Sequence, residues 1–232
     1  MGRDRENFKL ILDESNVKAG FTNKFGGVSK GAYESLNLAT HVGDEIDFVA
    51  QNREILKSNL GVKSLLFMDQ IHSNKVEIYR DLEQKLEPCD GVITSLKGVA
   101  LCVMVADCAP ILITSNNAIA AVHAGRAGVC LGILSNTINI MKKEFDAKNF
   151  RIFIGPHIQT ECYEIGNLDL KEFDRFKKED KFSIRKALEV EIKNLGIQNY
   201  KISNICTHCD KRFYSYRRDA ITGRFVGFIY LI

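Results

Sequence analysis

VALCVMVADCAPILITSNNAIAAVHAGRAG, residues 99–128, sets three apolar runs one after another and places a reactive side chain beside two of them. The first run, 99–105, is rich in β-branched residues and reads as a strand buried on both faces. It stops at Ala106-Asp107-Cys108, and Pro110 then withholds a backbone donor. A second run covers 111–114, and Asn116-Asn117 marks a turn. The third run, 118–122, delivers His123 into the glycine-bearing turn Gly125-Arg126-Ala127-Gly128. Cys108 and His123 are therefore expected at strand ends, where a rigid scaffold presents reactive groups.

Upstream, residues 8–12 read as a strand, followed by a turn and then a glycine-rich polar loop at 21–31, FTNKFGGVSKG. Gly26-Gly27 predicts a tight turn with positive φ, reminiscent of a phosphate cradle but without P-loop spacing. Residues 47–60 carry Phe48, Val49, Ile55, Leu56 and Leu60 at helical spacing, with Gly61 as the stop. Short strands are expected at 65–68, 76–79 and 92–94. Cys89-Asp90-Gly91 reads as the turn into the last of them, and the second is preceded by Asp69-Gln70-Ile71-His72. Downstream, 131–145 predicts a buried helix and 151–154 a strand, closed by Gly155-Pro156-His157 with His157 as a turn residue. A short extended segment follows at 162–166. The charged stretch 168–193 predicts two surface helices, 200–205 a strand, and 225–232 a last strand docked in a sheet. With no repeat, linker or low-complexity segment, this order predicts one α+β or mixed α/β domain over residues 1–232.

Composition excludes several classes. In 232 residues the hydrophobic fraction is 45% and the charged fraction 26%, ordinary for a globular chain that needs no disulfide staples. A net charge of +3, with Lys and Arg dispersed among Asp and Glu, argues against a nucleic-acid partner. No apolar run approaches the ~20 residues of a membrane span. MGRDRENFKL has no apolar leader core, and the sixth position lacks the Ser or Thr of a myristoylation signal. Seven cysteines at irregular spacing then predict a cytoplasmic protein with reduced thiols.

Three residues have the chemistry for one metal ion: His72, Cys108 and His123. Two imidazoles and a thiolate suit zinc, and three protein ligands leave a fourth position open, where a bound water would ionise near pH ~7. A competing arrangement uses Cys108 as nucleophile and His123 as base, with His72 a bystander. Both predict a polar pocket, so residue types alone leave the two open. His41, in a polar loop, is a candidate pocket residue. Cys206-Thr207-His208-Cys209 is a C-x-x-C without a second pair and reads as packing. The aromatic, basic run 213–218, with Arg224, reads as a structural turn near the pocket rather than a nucleic-acid or phosphate surface.

Seven segments in order, FTNKFGGVSKGAYESLNLATHVGD, DQIHSNKV, CDGVIT, VADCAPILI, AAVHAGRAG, GPHIQTECYEIG and FYSYRRDAITGR, resemble the YfiH-type laccase-domain family, also called polyphenol oxidases. The resemblance implies a single α/β sandwich with mixed sheets flanked by helices. It implies zinc held by His72, Cys108 and His123. The implied activity is on purine nucleosides: phosphorolysis of adenosine, inosine, guanosine or methylthioadenosine, and deamination of adenosine. Nucleoside and phosphate are then the partners, of a monomer or homodimer, with Arg53, Arg126 and the Gly26-Gly27 loop as phosphate candidates. In its Cys/His arrangement the family also resembles the deamidase domain of cytotoxic necrotizing factors, which keeps the metal-free cysteine hydrolase as an alternative. A non-enzymatic role in cell-wall quality control or as an interaction protein is a third. The family's usual His-Ala-Gly-Trp-Arg-Gly is replaced here by His123-Ala-Gly-Arg126-Ala-Gly, and the chain has no Trp. Cu²⁺ is a possible occupant of the single site, since it binds such ligands more tightly than Zn²⁺, and a copper-loaded polyphenol oxidoreductase is a further alternative. The blue-copper and trinuclear sites of a full multicopper oxidase, however, exceed what five scattered His can furnish.

Overall fold

The computed structural model of the chain describes residues 7–232; residues 1–6, on which the leader and myristoylation readings bear, lie outside the described residues. The elements run β1 (Phe8–Asp13), β2 (Val17–Thr22), α1 (Ile46–Leu60), β3 (Ser64–Phe67), β4 (Val76–Tyr79), β5 (Gly91–Thr94), β6 (Val99–Val105), β7 (Ala109–Thr114) and β8 (Ile119–Ala124). They continue α2 (Arg126–Cys130), α3 (Ile133–Phe145), β9 (Arg151–Ile154), β10 (Lys177–Lys178), β11 (Lys181–Phe182), α4 (Ile184–Asn194), β12 (Tyr200–Ile202), α5 (Tyr216–Asp219) and β13 (Phe225–Leu231). One sheet has the order β1-β2-β13-β6-β3 and the other β12-β9-β7-β8-β5-β4. The β3/β6, β4/β5 and β9/β12 pairs are parallel; the other pairs within the two sheets are antiparallel.

The apolar runs do not alternate because both faces of both sheets are covered. On β6, Val99, Leu101, Val103 and Val105 point between the sheets, against Leu112 of β7, Ala121 of β8 and Phe153 of β9. The alternate residues Ala100, Cys102 and Met104 face outward onto Leu56 and Leu60 of α1. The outer face of the second sheet, with Ile111, Ile113, Ala120 and Val122, packs on Leu134, Ile138 and Met141 of α3 and on Leu188 and Ile192 of α4. The layers are helix, sheet, sheet, helices: an α+β sandwich with mixed sheets. β7 and β8 thus lie deep inside and hold what is attached to them rigidly. Among the described residues no helix is long and apolar enough to cross a membrane.

Several expected elements change. β2 is a strand where a turn and loop were expected, because Gly20, which reads as a breaker, is where the Phe228 ring crosses: a Cβ there would sit 2.7 Å from Phe228 Cζ. The third apolar run extends through Ala124, so His123 lies within β8, paired with Pro110, rather than in the turn beyond it. The helix expected at 131–145 forms as α3, and the turn expected before it is itself a short helix, α2, set off from α3 by Gly132 at φ 70°. Of the two helices expected in 168–193, only α4 forms. The first half is a 3-10 turn (Lys171–Phe176) and the β10/β11 hairpin, anchored by buried Phe176 and Phe182. Charge pattern cannot distinguish a surface helix from a hairpin when the anchors are two aromatic rings. Of the extended segment expected at 162–166, Cys162 closes a 3-10 turn (Thr160–Cys162) and Glu164 makes an isolated bridge to Lys181. α1 ends as expected, on Gly61 at φ 66°.

Candidate metal centre and pocket

Three separate pieces of chain bring His72, Cys108 and His123 together. Cys108 sits in the turn between β6 and β7, which Asp107 enters at φ 98°, a conformation an L residue adopts only when held. The Asp107 carboxylate accepts from Thr207 Oγ1 at 2.7 Å and from the Arg217 amide at 2.7 Å, and those bonds hold it. His72, φ 58°, tops the loop between β3 and β4. The backbone amides of His72 and Ser73 and the Ser73 hydroxyl all donate to Asp90, at 3.0, 2.6 and 2.8 Å. His123 Nδ1 donates to the same carboxylate at 2.8 Å, and its amide to the Asp90 carbonyl at 2.7 Å. The turn residue Asp90, fully buried, is therefore the post to which the His72 backbone and the His123 imidazole are tied.

The ligand atoms of the three side chains lie within 4.8 Å of one another, with Cys108 Sγ 4.0 Å from His72 Nε2. The two imidazoles meet edge to face at 4.7 Å between centroids. Gly125 leaves them room: a Cβ there would come within 3.0 Å of Cys108 Sγ and 3.2 Å of His72 Cδ2. Burial pushes the Cys108 thiol up, but the charge and hydrogen bond of His123, joined by His72, outweigh it and bring it down to about 6. Burial likewise works against a charged His123, yet Cys108 and Asp90 lift it to about 9. Asp90, despite its burial, is held down to about 2 by the hydrogen bonds from His123 and Ser73.

These three side chains open on a pocket of about 380 Å³, within the range of small-molecule sites. His41 lines it, as do Gln70, Tyr163, Tyr216, Arg217 and Arg224. Burial and the nearby Arg224 lower the His41 pKa, so that it faces the pocket as a neutral imidazole. Burial raises the Tyr163 phenol to about 12, which keeps its proton in place.

The other phosphate candidates lie elsewhere. Arg53 is not a lining residue; Nε and Nη2 both donate to the Leu38 carbonyl at 3.0 and 2.8 Å, and the guanidinium stacks 3.9 Å over Phe67. Arg126 opens α2, outside the lining. The Gly26-Gly27 loop uses amides for its own packing: the Gly27 amide goes to Ser35 Oγ and the Val28 amide to Asn52 Oδ1. A Cβ at Gly27 would collide with Ser35 O at 2.3 Å, so this glycine serves loop packing. The cations in the pocket come instead from the aromatic, basic run and its sequel, Arg217 and Arg224. His157, expected in a turn, is fully buried, with Nδ1 on the Gly155 carbonyl at 2.8 Å.

The donor set fits a metal ion. Asp90 fixes the His123 tautomer by taking Nδ1–H, which leaves Nε2 for the Cys108 side. Residues 18–232 match the family described as multi-copper polyphenol oxidoreductase laccase. The chain belongs to this family. Within reach of this laccase-domain chain are proteins named purine nucleoside phosphorylases. Cj1217c of Campylobacter jejuni is 37% identical over 242 residues, covering 100% of this chain and 99% of that protein. Cgl2154/cg2365 of Corynebacterium glutamicum is 36% identical, covering 95% and 97%. Among solved structures, Neisseria meningitidis NMB0706 superposes with a TM-score of 0.84 at 33% identity over 97% of this chain and 99% of that one. The YfiH protein of Bacillus licheniformis does so with 0.85 at 29%, over 93% of each. In this laccase-domain chain the five His do not gather as a multicopper cluster requires. His72 and His123 share one site, His41 lies across the pocket, His157 is locked on Gly155, and His208 belongs to a separate group.

Proposed function

We propose that this chain is a zinc-dependent purine nucleoside phosphorylase that also deaminates adenosine, acting on adenosine, inosine, guanosine or methylthioadenosine. The observation that carries the reading is the convergence of His72, Cys108 and His123 at a pocket that also presents Arg217 and Arg224. The names of the full-length relatives support it. Phosphorolysis joins a phosphate oxygen to ribose C1′ as the C1′–N9 bond breaks; its electron pair stays on the purine, which takes up a proton. The two guanidinium groups provide charge for the phosphate, and a planar, permanently charged fork suits that ligand. His41 and Tyr163 face the nucleoside, one able to accept a hydrogen bond and the other to donate. His72, Cys108 and His123 hold the zinc, which when bound supplies Lewis-acid polarisation of the reacting groups. Zinc-loaded protein incubated with adenosine and phosphate is expected to yield adenine and ribose 1-phosphate, and inosine as the deamination product. Absence of turnover across the four nucleosides defeats the reading.

One observation favours a second reading, a metal-free cysteine hydrolase: Cys108, His123 and Asp90 form a chain in which the thiol is acidified and the imidazole oriented by a buried carboxylate. It requires that amidase or esterase activity survive chelation and His72→Ala and disappear on Cys108 alkylation. The zinc reading requires the opposite response to chelation.

A further inference from the structure

The C-x-x-C stretch at 206–209 has no second cysteine pair in sequence, but the fold delivers a further thiol to it. The 3-10 turn (Thr160–Cys162) places Cys162 Sγ 3.4 Å from Cys209 Sγ. His208 Nδ1 lies 3.9 Å from Cys209 Sγ, and the ligand atoms of Cys162, His208 and Cys209 all fall within 4.8 Å of one another. A tetrahedral zinc with Zn–S of ~2.3 Å and Zn–N of ~2.0 Å holds its sulfurs ~3.8 Å apart and its S···N pairs ~3.5 Å apart. The observed S···S of 3.4 Å and S···N of 3.9 Å each lie within about 0.4 Å of those values.

Cys206 supplies a second, independent observation. Its sulfur accepts the Gln159 amide at 3.4 Å, a donor from the residue that leads into the Thr160–Cys162 turn. That bond ties the segment carrying Cys162 to the first cysteine of the C-x-x-C, three residues before Cys209. All seven cysteines are free thiols, so no disulfide explains the gathering.

We propose that Cys162, Cys206, Cys209 and His208 form a second metal site, a closed Cys₃His zinc site separate from the His72, Cys108 and His123 centre. Four protein ligands leave no open position, which makes it structural. Its place in the fold gives it a task. Cys162 precedes the pocket residue Tyr163, and Thr207, between the ligands, donates to Asp107, which positions Cys108. The ion ties the Tyr163 wall of the pocket to the segment that braces the Cys108 turn.

The test is metal stoichiometry on the full chain, stripped and reloaded with Zn²⁺ or Co²⁺. Wild type is expected to hold about two equivalents and Cys108→Ala about one; Cys209→Ser is expected to hold about one, and the double variant about none. Co²⁺ in Cys108→Ala should give the intense visible bands of a tetrahedral, thiolate-rich site. Should Cys209→Ser fail to fold, alkylation of the wild type decides: Cys162, Cys206 and Cys209 must be protected with zinc and become reactive together on chelation. A Cys108→Ala protein that binds no zinc, thiols that alkylate freely in zinc-loaded protein, or a Cys162–Cys209 disulfide in protein purified under reductant each overturns the proposal.

Discussion

Asp90 shows most directly how one side chain organises the candidate centre. Its carboxylate takes the His72 and Ser73 amides, the Ser73 hydroxyl and the His123 ring. Asp90→Asn keeps the shape but replaces one acceptor oxygen with an NH₂ facing donors. Zinc affinity at the His72, Cys108 and His123 centre is expected to fall ~10–100-fold, measured by competition with a chromogenic chelator. Gly125→Ala acts on the same centre sterically. Its methyl group presses on Cys108 Sγ and His72 Cδ2, so zinc binding should weaken while the melting temperature changes little. Cys108 offers a pH test. In chelated protein its alkylation should rise with pH through a midpoint near 6, below the ~8.5 of an ordinary thiol, and zinc should abolish it. A midpoint at the ordinary value would show that the imidazoles do not acidify it.

Elements decide which arginine does what. Arg53 is on α1, whose buried face packs on the outer side of β6, and its guanidinium donates through Nε and Nη2 to Leu38 and stacks on Phe67, away from the pocket lining. Arg53→Ala is therefore expected to cost about 1–3 kcal/mol in urea unfolding, with the KM for phosphate unchanged. Arg224→Ala, at the pocket, should raise that KM by about tenfold or more, the ~1.5–3 kcal/mol of a charged hydrogen bond, with stability less affected. The reverse outcome would reinstate Arg53 as the phosphate residue. The turn between β6 and β7 shows why this was hard to read from sequence. Two apolar runs flanking Ala-Asp-Cys announce a turn, but the bonds that hold Asp107 at positive φ come from Thr207 and Arg217, a hundred residues away in sequence.

At the scale of the whole molecule, burial sets an acid limit. His157, with no exposed surface, has its pKa lowered to about 4, first by burial. The unfolded chain, with an ordinary imidazole near ~6.5, binds this proton more readily than the folded one. The stability involved is full above the unfolded value and is lost as pH falls from there toward about 4, up to about 3 kcal/mol. His41 shifts in the same direction. His123, whose folded pKa is raised, contributes with the opposite sign: fully below its unfolded value, and lost as pH rises through about 9. Urea midpoints of chelated protein should drop between pH 6.5 and 4.5, and His157→Gln should flatten that drop; an equal drop in both proteins assigns it elsewhere. The layered core also bears on legibility. The runs at 99–105, 76–79 and 151–154 were readable to the residue, the first because a strand covered on both sides must be apolar throughout. The candidate residues His72, Cys108 and His123 were readable as donor types beside such strands, and the family as seven ordered segments. β2, the α2/α3 break and the β10/β11 hairpin were not, because Gly20, Gly132 and the Phe176 and Phe182 anchors take their meaning from what packs against them. The same holds for Asp90, for the placement of Arg217 and Arg224 rather than Arg53 and Arg126 at the pocket, and for the meeting of Cys162 with the C-x-x-C. Local pattern sets which segments are strands and which side chains are chemically able, since both follow from residue type and nearest neighbours. Which of those side chains meet is decided by the stacking of two sheets and the loops that cross their ends, through contacts between residues far apart in the chain.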